Sequence, residues 1–192
     1  MLPLLLASSS VYRRELLARL RLPFSCSSPD IDESHHTDES ASDLVKRLSL
    51  EKARALAGSH PDHLIIGSDQ VAVLNGRIIG KPHTFDKARQ QLLDASGASV
   101  SFLTGLTLLN SRTGQHQTDC VPFTVHMRTL SAEQIERYLH AEQPYDCAGS
   151  FKAEGLGVSL FQRTEGHDAT SLIGLPLIRL VDMLTHEGIS IP

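Results

Sequence analysis

Leu64-Ile65-Ile66-Gly67-Ser68-Asp69-Gln70-Val71-Ala72-Val73-Leu74 is an apolar run interrupted near its middle by one carboxylate, and Asn75-Gly76 follows it directly. An apolar run bounded by a turn signal reads as a buried strand. Asn-Gly accepts positive φ at both central positions of a tight turn, so the chain is expected to fold back as a hairpin into Arg77-Ile78-Ile79-Gly80. A carboxylate inside such a strand is costly to bury unless it is paired, bonded to backbone donors or holding a cation. This stretch therefore sets both a sheet and a question about Asp69.

Outward from it, strand-like and helix-like patterns alternate. Toward the start, Leu4 to Ala7 is a short buried strand, Ser8-Ser9-Ser10 offers hydroxyl caps, and Leu16, Leu17 and Leu20 recur at helical spacing. Pro23 to Ser27 returns as a strand, and the acidic stretch Pro29 to Ser40 reads as a loop. A helix with Leu44, Val45, Leu48, Ala53 and Leu56 on its apolar face then runs up to Gly58. Beyond the hairpin, Phe85 to Ala95 is helical, and Ser99 to Leu109 pairs with Gln117 to Arg128 around the turn Ser111-Arg112-Thr113-Gly114. Ser131 with Gln134 has the spacing of a capping box. A glycine-bearing stretch, Gly149 to Gly157, precedes a strand near Val158 to Phe161 and a closing helix near Leu175 to Leu184. The expected fold is α/β, a mixed sheet with flanking helices in a single domain over residues 1–192.

The bulk properties narrow the function. At 192 residues the chain buries roughly 70% of its unfolded surface without staples. A net charge of -4 argues against binding duplex nucleic acid, while a local cluster of Lys and Arg still suits a small anionic ligand. The three cysteines, Cys26, Cys120 and Cys147, are widely spaced and match no metal or redox motif, which fits a cytoplasmic setting. The apolar start is too short and too soon followed by Arg13 and Arg14 to be a signal peptide, and no segment approaches a membrane span. Ten histidines include no HExxH or His-x-His pattern, and no G-x-S-x-G elbow exists to seat a triad.

Chemistry-bearing residues fall in several places. Ser8-Ser9-Ser10-Val11-Tyr12-Arg13-Arg14 places a helix N-terminus beside two guanidinium groups, which reads equally as an anion site or as a serine cap with solvated arginines. Lys81 leaves the hairpin at the Gly80-Lys81-Pro82 turn, where a phosphate contact competes with plain exposure. Asp32-Glu33 lies in the acidic loop and Lys52 on the following helix. Cys147-Ala148-Gly149-Ser150 and the residues up to Gly155 combine small side chains with one projecting acid, Glu154.

Taken in order, Ala7-Ser8-Ser9-Ser10, Arg13-Arg14-Glu15-Leu16-Leu17, Asp32-Glu33, Lys52-Ala53, Gly67-Ser68-Asp69, Gly80-Lys81-Pro82, Thr104-Gly105 and Cys147-Ala148-Gly149 resemble the Maf family of nucleotide pyrophosphatases over nearly the whole chain. The resemblance implies a two-lobed mixed sheet with flanking helices and a central cleft, similar to inosine triphosphate pyrophosphatases. It implies cleavage of a nucleoside triphosphate between its α and β phosphates with a divalent cation, Mg2+ or Mn2+, and a homodimer. By position, Asp69 is the implied general base and Glu33 the implied metal carboxylate. Ser8, Arg13, Arg14, Lys52 and Lys81 are the implied phosphate contacts.

Three further positions separate branches of that family. The dTTP and UTP branch typically carries Arg, Thr and Gln where this chain has Tyr12, Gln70 and Glu154, so the chain resembles the branch acting on 7-methyl-GTP, apart from a Tyr where that branch often has Trp. The chemistry agrees. Glu154 can accept both N–H donors of a guanine edge, and an aromatic face at Tyr12 attracts a base made cationic by N7 methylation, by roughly 0.5–2 kcal/mol. Gln70 can donate or accept at a base edge. Two other readings are open at this stage: a pyrophosphatase of pyrimidine triphosphates, and a nucleotide-sensing binder in cell division.

Overall fold

The computed structural model describes residues 2–192. Seven strands form one mixed sheet: β1 (Leu4–Ala7), β2 (Phe24–Ser27), β3 (Leu64–Leu74), β4 (Arg77–Ile79), β5 (Ser99–Asn110), β6 (His116–Met127) and β7 (Phe161–Gly166). Their order is β2-β1-β3-β5-β6-β7, with β4 paired to β3. Six helices accompany them: α1 (Val11–Ala18), α2 (Ala41–Ala57), α3 (Phe85–Ala95), α4 (Ala132–Glu142), α5 (Ala169–Ile173) and α6 (Leu177–His186). The chain divides into two compact units. Among the described residues, one comprises 2–70, 104–121 and 168–192, and the other 71–103 and 122–167.

In the first unit, β1 pairs in parallel with both β2 and β3, Leu4 opposite Phe24 and Leu64. Parallel neighbours need crossovers, and α1 and α2 supply them. Alternation along the strands sorts the core into two layers. Leu4, Leu6, Leu64, Ile66, Leu106 and Leu108 pack with Leu16 and Leu17 of α1 and Leu180 and Leu184 of α6. Leu5, Ala7 and Ile65 pack with Ala53 and Leu56 of α2. Each Leu so buried contributes about 1.5–3 kcal/mol relative to exposure.

Glycines set how closely α2 lies on this sheet. A Cβ at Gly67 would sit 2.0 Å from the Ser49 carbonyl oxygen, and one at Gly105 would sit 2.0 Å from that of Val45. The helix backbone thus rests directly on two strands, over Gly67 and Gly105. Beneath it, the buried Ser49 hydroxyl meets Thr107 Oγ1 at 2.9 Å, so this close layer has its polar atoms paired.

In the second unit, β3 turns into β4 through Asn75 and Gly76, at φ 52° and 76°, as the Asn-Gly signal predicts. Ser131 caps α4 with the reciprocal bonds of a capping box. Phe102, Phe151 and Phe161 form an edge-to-face aromatic chain with centroids 5.3 and 4.8 Å apart.

One expectation needs correction. The strand expected near Val158 is instead a 3-10 turn over Leu156–Leu160, and β7 starts at Phe161 and runs to Gly166. Gly155 and Gly157 are packed so closely against Glu142 and the Lys152 backbone that the chain curls there rather than extending. The closing helix spans Leu177–His186, and a short helix, α5, precedes it. Asp168 organises that corner: its Oδ1 accepts from the Thr170 amide at 2.9 Å and its Oδ2 from the Ile178 amide at 2.9 Å.

Candidate active site

In the first unit the close approach of α2 to β3 brings Lys52 to Asp69. Lys52 Nζ donates to Asp69 Oδ1 at 2.6 Å and pairs with Glu33 Oε1 at 2.9 Å. Lys52 is 6% exposed and Asp69 8%, so this is a buried pair with an exposed second carboxylate, Glu33, closing over it. A charge so buried is stable only if paired, and removing one partner costs far more than an exposed pair would. The ammonium of Lys52, the implied phosphate contact, thus joins the two carboxylates.

The acidic loop reaches Lys52 because Arg47 of α2 holds it. Arg47 Nε and Nη2 donate to the two carboxylate oxygens of Glu39 at 2.7 and 2.8 Å, and Nη2 also donates to the Ser34 carbonyl at 2.9 Å. That forked clasp pulls the Glu39 carboxyl down to about 2. Asp32 accepts from the Ser34 amide at 2.9 Å, which holds its own carboxyl below the usual range. Glu33 lies between these two fixed points. Arg47 carries no motif, and only the structure reveals its part.

Ser8, Tyr12, Arg13 and Arg14 sit at the start of α1. Ser8 is buried and its hydroxyl accepts from the Ser10 amide at 3.1 Å; Ser10 caps the helix through the Arg13 amide. Arg13 Nε donates to the Gly174 carbonyl at 2.8 Å. Burial pushes its guanidinium below the ordinary value, opposed by the charges of Asp69 and Glu33. The electrostatic partners of Arg13 are thus the two carboxylates of the Lys52 knot. Arg14 is exposed and Tyr12 half-buried.

Ser68 and Gln70, either side of Asp69, fix its strand. The Ser68 hydroxyl lies 2.8 Å from the Gly105 carbonyl and 3.0 Å from that of Gly174. Gln70 Nε2 donates to Ser171 O at 2.7 Å and Thr104 Oγ1 at 3.0 Å, leaving its amide oxygen as the group to offer a ligand.

Lys81 and Glu154 belong to the second unit, and both are exposed. Glu154 stands on a tightly held loop. Tyr138 Oη accepts from the Lys152 amide at 3.1 Å, Glu142 Oε2 accepts from the Leu156 amide at 2.7 Å, and a Cβ on Gly155 would lie 2.8 Å from that same oxygen. Nearby, burial pushes the Cys147 thiol up to about 12, which makes it a poor nucleophile at neutral pH.

The architecture falls within a known structural class. It is similar to the structure of a HAM1 protein from Coxiella burnetii, with a TM-score of 0.55 and 17% identity over 97% of this chain and 100% of that one. A model of the Maf-like protein family matches residues 3–187. The chain is 82% identical to a 7-methyl-GTP pyrophosphatase of Pseudomonas fluorescens over 192 residues, the whole of both chains. It is 70% identical to one of Pseudomonas aeruginosa, over 98% of each chain, and 59% identical to one of Alcanivorax borkumensis, over 98% of this chain and 96% of that one. The chain belongs to the Maf family.

Proposed function

We infer that the protein is a nucleoside triphosphate pyrophosphatase that hydrolyses 7-methyl-GTP to 7-methyl-GMP and pyrophosphate. The observation that carries this reading is full-length identity of 82% to a relative of that name. The Lys52–Asp69–Glu33 constellation supplies matching chemistry.

In the proposed reaction a water attacks the α phosphorus in line with the bond to the β phosphate. Asp69 orients that water and takes its proton as the new P–O bond forms and pyrophosphate departs. Lys52 sets Asp69 through Oδ1, which leaves Oδ2 for the water. Ser8, Arg13, Arg14, Lys52 and Lys81 are proposed to contact phosphate oxygens, and the two arginines also to offset charge on the leaving group.

A divalent cation, Mg2+ or Mn2+, is part of the proposal. Among the described residues no group of three or more His, Cys, Asp or Glu side chains is placed to hold a metal alone. Mg2+ typically takes one or two carboxylates and leaves other positions to phosphate and water. Glu33, exposed beside the Lys52–Asp69 pair, fits that share as the one protein carboxylate, with the triphosphate and water bringing the rest, and the bound cation would supply charge neutralisation at the phosphates.

Glu154 is proposed to accept from the N1–H and N2–H2 donors of the guanine edge, and Tyr12 to stack on the cationic base. A cytoplasmic setting and a homodimer complete the reading. The three cysteines are free, and among the described residues no helix is long and apolar enough to cross a membrane.

The test is pyrophosphate release from 7-methyl-GTP, GTP, UTP and dTTP, each with Mg2+ and with Mn2+. Fastest turnover is expected for 7-methyl-GTP. Faster turnover of UTP or dTTP would overturn the substrate, and no release from any triphosphate would overturn the activity.

A further inference from the structure

Lys81 is exposed beside a buried Pro82, and an exposed lysine is a weak ligand unless its backbone is held, because ordering it costs entropy on binding. The structure shows what orders it. Gln91, half-buried on α3, donates from Nε2 to the Gly80 carbonyl at 3.1 Å, and its Oε1 accepts from the Ser150 hydroxyl at 2.5 Å. One side-chain amide thus uses its donor on the Lys81 turn and its acceptor on the segment leading to Glu154.

The partner is held firmly. Ser150 is fully buried, and it follows Gly149 in the left-handed region, with φ of 62° and 76°. For a serine that conformation is unfavourable, so it persists only where its surroundings hold it. Gly149 packs with its Cα against Phe102, where a Cβ would lie 3.0 Å from the ring, and this fixes the turn from the other side. A second tie runs parallel: the His83 amide donates to the Tyr145 carbonyl at 3.0 Å, and His83 is itself left-handed at φ 61°. Lys81 lies between Gly80 and His83, and both are bonded to groups outside the turn.

We infer that Gln91 is a positioning residue for the triphosphate, presetting the Gly80-Lys81-Pro82 turn by linking it to Ser150. This rests on the proposed assignment of Lys81 to phosphate. Gln91 has no reach to chemistry of its own; it acts by lowering the cost of holding Lys81 in place. Lys81 engages phosphate before and during the reaction alike, so loss of the link weakens binding rather than the chemical step.

Steady-state kinetics with 7-methyl-GTP and hydrogen exchange at the His83 amide test this in Gln91→Leu, Ser150→Ala, Lys81→Ala and the two double variants that include Gln91→Leu. Gln91→Leu is expected to raise KM about fivefold to tenfold, the worth of one or two hydrogen bonds, with kcat held within about twofold. It is also expected to accelerate exchange at His83. Adding Ser150→Ala or Lys81→Ala to Gln91→Leu is expected to give less than the product of the single effects. Full multiplication of Gln91→Leu with Lys81→Ala, a fall in kcat with KM unchanged, or unaltered exchange at His83 would each overturn the inference. Accelerated exchange with a silent Lys81→Ala would instead uphold the link and remove Lys81 from the phosphate site.

Discussion

The Asp69 carboxylate and the Glu154 carboxylate are held by opposite means. Asp69 is 8% exposed, sits inside β3 and is bonded to a lysine that is itself buried. Glu154 is exposed, stands on a loop and owes its place to backbone bonds made by its neighbours, Lys152 and Leu156. The first is fixed by its own partner, the second by the shape of the loop beneath it. A buried, paired carboxylate suits proton chemistry, where a displacement of an ångström is costly. An exposed one on a braced loop suits recognition, where the ligand itself provides the desolvation.

The comparison breaks most sharply at Asp69. Asp69→Asn is expected to lower kcat about a thousandfold while leaving the fold, since an amide still accepts from Lys52 but takes no proton. A kcat within about tenfold of wild type, measured by pyrophosphate release, would remove Asp69 as the base. Next in size is Gly67→Ala. Its Cβ would meet the Ser49 carbonyl at 2.0 Å, so α2 must lift and carry Lys52 away from Asp69. A loss of about 3 kcal/mol in urea unfolding is expected; a neutral result would mean that the close helix–strand contact does not set the pair.

At the other carboxylate the effect is smaller and falls on selectivity. Glu154→Gln is expected to cut the preference for 7-methyl-GTP over UTP about tenfold, with stability unchanged because no bond to this side chain supports the loop. Unaltered relative rates across the two nucleotides would sink its assignment to the base. Smallest is the acid response of the loop bearing Glu33. The Glu39 carboxyl lies at about 2 in the folded protein, below its ordinary value of about 4.3. Its contribution is therefore complete above about pH 4.3 and is lost as pH falls through about 2. Arg47→Met is expected to flatten that part of the stability profile; an acid limb identical to wild type would show that the clasp contributes nothing.

Sequence patterns carried local signals well and tertiary ones poorly. Asn75-Gly76, the Ser131–Gln134 box and the apolar runs of β1 and β3 each act within a few residues, and each is present in the structure. The curl at Leu156–Leu160 reads as a strand in the sequence because the contact that holds it, with Glu142, comes from another element. α5 leaves little trace in the sequence because five residues are too few for a helical period to register, although Asp168 is a legible cap. At the site, motif residues were readable one by one, but the union of Lys52 with two carboxylates was not. That union depends on two glycines, Gly67 and Gly105, whose role appears only when α2 rests on them. Arg47 and Gln91 act purely through partners distant in sequence, so nothing in their own neighbourhood marks them.

The interleaving of the two units has a consequence for how the chain is made. Every residue of the second unit has been synthesised once His167 is added, whereas the first still lacks 168–192, including α6 and the carbonyl of Gly174 that receives Arg13. The unit built from the amino terminus is thus the last to be completed. Until the final helix emerges, Leu16 and Leu17 of α1 lack the cover of Leu180 and Leu184. The nascent chain therefore carries an uncovered apolar layer through most of translation, and Arg13 finds its carbonyl partner only after Gly174 has been added.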